Sequence, residues 1–184
     1  MVVVELLGEN KKDIGIDCRN IVQLRSDYLG GRYMKDELVN HRVGGWCWYG
    51  ASTFENPDNV GKFMTPVQDE ISNKVQELII KAIKQGVTPL VKHTDPDPDV
   101  LASNPFAKDG SLMIIWYSTD EKESLKGLAE FLVAHGLVRK TKAGRYYNIS
   151  FKYDKQTRNG EYGEQFKASI ALKDLMDLNT GEFY

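Results

Sequence analysis

The chain has 184 residues, 24 basic against 26 acidic side chains and a net charge of −2, with 41% apolar residues. This balance excludes a collagen-like or wholly disordered chain, and a fold of this length buries about 68–70% of the surface its unfolded form exposes. One domain over residues 1–184 is expected, with 1–42 its least defined part.

The amino-terminal apolar run lacks a preceding basic region and contains Glu5, so it does not read as a secretory signal. No stretch approaches the roughly 18 apolar residues of a membrane span, and a cytoplasmic protein is expected. Cys18 and Cys47 form no CxxC spacing and His41, His93 and His135 are scattered, so two reduced thiols are expected and neither metal nor cofactor is called for.

Residues 1–7 suit a strand, and Gly30-Gly31 favours a turn after an irregular segment. The run 42–50 is aromatic and bounded by glycines, which suits a strand with Trp46 and Trp48 on one face and Cys47 and Tyr49 on the other. Either those indoles pack in a core or they form a stacking platform for a planar ligand. A turn-rich loop then leads into an extended piece at 60–65.

Thr65, Pro66 and Gln68 have the spacing of an N-cap, a first-turn proline and a capping box. Behind them Val67, Ile71, Val75, Leu78, Ile79, Ala82 and Ile83 repeat at three and four residues, predicting an amphipathic helix that Gly86 stops. A strand is expected at 87–91 and a solvated loop from His93 to Gly110. The aspartates of that loop lack the glycine-centred spacing of a calcium loop.

The run 111–117 is the best strand in the chain and apolar enough to be central. Ser118 or Thr119 is the expected cap of a second helix, with Leu125, Leu128, Ala129, Leu132 and Val133 inward and Gly136 as its stop. Alternation over 145–153 predicts a further strand, Asn159-Gly160 a turn, and 172–178 a short helix. The fold class is therefore α+β, a mainly antiparallel sheet with two principal helices on one face.

Between Arg139 and Arg158 seven basic residues face one acid, Asp154, a local charge of +6 in a slightly acidic chain. Such asymmetry focuses anionic ligands if the side chains converge. Arg145, Arg158, Lys62 and Lys92 are the candidate phosphate ligands, arginine as a fixed fork of donors and lysine as a point charge. No phosphate-loop or dinucleotide glycine motif is present, and no duplex-DNA motif.

The strand Val60-Gly61-Lys62-Phe63-Met64, the helix over 66–84 and the hydrophobic strand 112–117 resemble a family of uncharacterised proteins built like the messenger-RNA cap-binding translation factor. The resemblance covers residues 43–153 and implies a curved antiparallel sheet, helices on its convex side and a ligand face opposite. In cap-binding proteins tryptophans hold a methylated base and basic residues grip phosphate, a part that Trp46 or Trp48 would take here. Lys62-Phe63, Lys92 and Arg158-Asn-Gly160 also resemble segments of bacterial effector phosphothreonine lyases, in which a lysine removes a proton, a histidine donates one and arginines bind phosphate. Met64 stands in the histidine position, and His93 could substitute only if a bend turned it to the face of Lys92.

The expected function is binding of a phosphorylated ligand in a basic cleft: a nucleotide, an RNA end or a phosphopeptide. Two alternatives stand beside it. One is a protein-interaction or inhibitor module using Asp174, Asp177 and Glu182, and the other is phosphothreonine-lyase-like elimination.

Overall fold

The computed structural model describes residues 38–51, 58–67, 70–103 and 112–184; the expectations for 1–7, Gly30-Gly31, Cys18 and Gln68 lie outside them. Glycines decide the first element. Gly44 and Gly45 both take positive φ (60° and 79°), the requirement of a tight two-residue hairpin turn. The run expected as one strand is therefore split, β1 (Leu38–Val43) folding back on β2 (Trp46–Ala51).

β3 (Val60–Val67) runs through the residues expected to open a helix. Thr65 is buried and its hydroxyl accepts the Trp116 indole N–H at 2.8 Å, so it packs as a strand residue and caps nothing. Pro66 is tolerated because β6 (Ser150–Tyr153) pairs with β3 only at Gly61 and Lys62, leaving the proline on a stretch with one paired neighbour. Helix α1 (Asn73–Lys84) starts later, with the Ser72 hydroxyl accepting the Val75 N–H at 3.4 Å.

Gly86 ends α1 as expected: at φ 68° its N–H reaches Ile83 O while Val87 N–H reaches Ala82 O, the paired bonds of a Schellman motif. β4 (Leu90–Thr94) lies three residues later than expected, which places Lys92 and His93 inside it. The following segment holds a short helix, α2 (Pro98–Ser103), where a loop was expected. Asp95 there accepts a fork from Arg42, with Nε at 2.6 Å, tying β1 to the end of β4.

β5 (Leu112–Thr119) includes Ser118 and Thr119, so neither caps α3 (Lys122–Ala134), whose N-cap position is Glu121. Gly136 repeats the Schellman ending, with Gly136 N–H to Val133 O and Leu137 N–H to Leu132 O. The strand expected at 145–153 shrinks to β6, because Tyr146 N–H bonds Leu178 O and Tyr147 N–H bonds Arg139 O instead of a sheet neighbour. Helix α4 (Asp154–Arg158), a 3-10 turn at 163–165, β7 (Ile170–Ala171) and a second 3-10 turn at 172–174 complete the chain.

Among the described residues seven strands make one open sheet, all neighbours antiparallel, in the order β1-β2-β4-β5-β3-β6-β7. β5 is central, as its apolar run predicts. Cys47, Tyr49, Phe63, Val91, Ile114, Trp116 and Phe151 point to one side of the sheet. There they join Ile79 and Ala82 of α1 and Leu125, Leu128 and Leu132 of α3 in the main core. The alternate residues point to the other side, where Val60, Ile115 and Tyr117 pack with Trp46, Trp48, Leu90, Met64 and Met113.

Candidate functional site

The second side of the sheet carries Lys62, Lys92, Trp46 and Trp48. Register places His41, Trp48, Lys92, Ile115 and Met64 side by side across five strands. Two residues along each strand, Tyr117, Lys62 and Lys152 form a second row on the same face, across β5, β3 and β6. Period two therefore brings Lys62, Lys92, Trp46 and Trp48 to one face, as the alternation of each strand requires.

Lys92 is half-buried, its Nζ 4.3 Å from the Trp46 ring centroid and 4.4 Å from that of Trp48. Trp48 in turn stacks between His41 and Tyr117, at centroid distances of 6.2 and 6.4 Å. Burial first, and the Lys62 ammonium second, push Lys92 down to about 8, against an opposing pull from Asp154. The buried indole N–H of Trp48 has no hydrogen-bond partner.

Lys62 is 6% exposed and ion-pairs with Asp154, the first residue of α4, while its Nζ lies 5.5 Å from the Tyr117 ring centroid. Lys152 is 3% exposed, donates to the Glu161 carbonyl and sits 3.6 Å from the Tyr162 ring centroid, with Phe166 at 5.1 Å. Burial and Lys62 together lower the Lys152 pKa, and Glu161 partly offsets them. Two lysines directly opposite on paired strands repel, a cost that ordinary sheets avoid. Burial also raises the Tyr117 phenol, Asp154 adding to the effect, so this hydroxyl keeps its proton at neutral pH.

The remaining candidates sit elsewhere. Arg158, 51% exposed, turns its guanidinium to Asp58 at 3.5 Å. Arg145 is exposed in the turn before Tyr146, where its charge acts on Asp177 of the C-terminal segment. The rest of the basic run also disperses: Arg139 lies over Tyr147, Lys140 over Tyr146 and Lys155 over Tyr153. Only Lys152 of that run joins the lysine face. The alternation around Phe151 and Tyr153 placed Lys152 on the opposite side from them, but its partner Lys62 is 90 residues away and invisible to any local pattern.

His93 is fully buried on the helix side, so β4 contains no bend that brings it to Lys92. A carbonyl only accepts, so His93 Nδ1 donates to Thr94 O at 2.8 Å, and Nε2 is left to accept the Tyr49 hydroxyl at 3.2 Å. Burial lowers its pKa, which holds it neutral in that arrangement. Asp174 and Asp177 are used locally, accepting N–H bonds from Ala171 and from Asn179 and Thr180. Among the described residues no group of three His, Cys, Asp or Glu is placed to hold a metal, and no helix is long and apolar enough to cross a membrane. Neither a family model nor a curated protein nor a solved structure matches the chain.

Proposed function

We propose that the lysine face binds a phosphorylated ligand, with Lys62 and Lys152 gripping the phosphate and Lys92 with the tryptophans beside them. The observation that carries this reading is the cross-strand pair Lys62 and Lys152 with Lys92 on the neighbouring row. Repulsion among three buried or half-buried ammonium groups is only partly relieved by Asp154 and Glu161, and a dianion would relieve it further. The unpaired Trp48 N–H adds a donor for an anionic oxygen.

The layout is compatible with the cap-binding-like architecture, and we read the lysine side as its ligand face. Both indole rings already have a lysine amine against them, which disfavours a positively charged methylated base and favours an anion. A second reading, elimination of phosphate, is favoured by one observation: an amine pushed down to about 8 is suited to removing a proton near neutral pH. With Met64 and His93 both unable to donate a proton there, binding is the better-supported reading.

Calorimetry with phosphothreonine peptide, adenosine monophosphate and inorganic phosphate tests it. Lys62→Met and Lys152→Met should each weaken binding at least about tenfold, or ~1.4 kcal/mol, while Lys74→Met on exposed α1 and Arg145→Met leave it unchanged. Equal losses at all four positions, or no binding of any probe by the wild-type chain, would reject a localised phosphate site.

A further inference from the structure

Lys92 has the two features that turn a lysine from a cation into a nucleophile. Its Nζ is partly desolvated, within 4.4 Å of two indole ring centroids, and a second ammonium, Lys62, stands on the adjacent row. The groups around it are Trp46 and Trp48 from β2, Ile115 and Tyr117 from β5, Lys62 and Met64 from β3 and Asp154 from α4. Among these, only Asp154 is a carboxylate, and it is paired with Lys62. Nothing in the phosphate-binding reading requires an amine of this kind, since an ordinary charged lysine would bind phosphate as well.

We propose that Lys92 condenses with the carbonyl of a phosphate-bearing aldehyde, forming an imine while Lys62 and Lys152 hold the phosphate. The inference rests on the phosphate reading of the same face. The neutral Nζ attacks the carbonyl carbon to give a carbinolamine; the amine proton and the hydroxyl leave as water, and a carbon–nitrogen double bond remains. Aldehyde plus amine give imine plus water, with no change of oxidation state. β4 and β3 lie two strand spacings apart, about 10 Å, so one small molecule can present its carbonyl to one lysine and its phosphate to the others.

The test uses the full chain with pyridoxal 5′-phosphate at pH 7.5, borohydride reduction and peptide mass spectrometry. With its pKa at about 8, Lys92 holds roughly two hundred times more free amine at that pH than a lysine at 10.5. We expect Lys92 to be labelled at least about tenfold faster than Lys74 or Lys84 on α1. Pyridoxal without phosphate should label it more slowly, and excess inorganic phosphate should protect it. Lys92→Arg and Lys92→Met should both lose the fast label, while the slow labelling of Lys74 and Lys84 stays unchanged.

Label spread over surface lysines with Lys92 unmodified, while phosphate still binds, overturns the imine and leaves the phosphate reading standing. Fast labelling of Lys92 that phosphate does not slow, at equal rates for both aldehydes, overturns the phosphate grip and that reading with it.

Discussion

Replacing Lys92 with methionine should make the protein more stable at pH 7. Methionine keeps an unbranched apolar stem against Trp46 and Trp48 and removes an ammonium that burial and Lys62 both disfavour. A fall from 10.5 to about 8 is worth about 3 kcal/mol at 1.36 kcal/mol per unit. Water reaching the open part of the side chain reduces that figure. So does the lost attraction to the indole faces, about 0.5–2 kcal/mol. About 1–2 kcal/mol remains, and at roughly 2–4 °C per kcal/mol for a chain of this size Tm should rise by about 2–8 °C.

The sign with pH follows from proton binding. Between pH 8 and 10.5 the unfolded chain holds the Lys92 proton and the folded chain has released it, so stability from this group rises with pH. The cost is full below about pH 8 and gone above 10.5. Wild type and Lys92→Met compared by urea unfolding at pH 7 and pH 10 isolate the group, because other titrations are common to both. A variant less stable than wild type at pH 7, or a difference that ignores pH, would refute the reasoning.

Two further outcomes concern the frame that holds the lysines. Thr65→Val leaves the buried Trp116 N–H without its acceptor and should cost about 1–3 kcal/mol; in Trp116→Phe background the same change should cost much less, a non-additivity that urea unfolding measures. An N-cap role for Thr65 would give additive effects instead. Gly61→Ala would place a Cβ 2.5 Å from the Phe151 ring and 2.7 Å from the Lys152 carbonyl, so β6 must move away from β3. Overpacking of about 2–3 kcal/mol, a Tm drop of roughly 5–10 °C and weaker phosphate binding are expected, and an unchanged melting curve would contradict the close approach of β3 and β6.

Much of the architecture is legible locally. The apolar run of β5 announces a central strand, and Gly86 and Gly136 announce helix ends because only an αL residue completes those motifs easily. Helix starts were not legible, since a Thr-Pro pair suits either an N-cap or a strand with one free side, and the partner that decides, Trp116, is 51 residues away. The alternating tyrosines of 145–149 gave a strand pattern, yet their backbone finds partners in a turn and the C-terminal segment. Of the site, Trp46 and Trp48 on one face follow from period two. That this is also the face of Lys62, Lys92 and Lys152 depends on strand order, which no local pattern encodes.

β3 leaves the ribosome before β4 but inserts on the far side of β5. Its pairs with β5, from Val67 with Leu112 to Val60 with Thr119, close loops of 45 to 59 residues, and its contact with β6 spans more still. Such non-local zippering is slow, and it must finish before the three amines become neighbours. A fragment lacking β5 or β6 therefore cannot bring all three amines together. A ligand bridging those strands engages only the fully assembled sheet, and so should slow global unfolding without protecting any one strand preferentially.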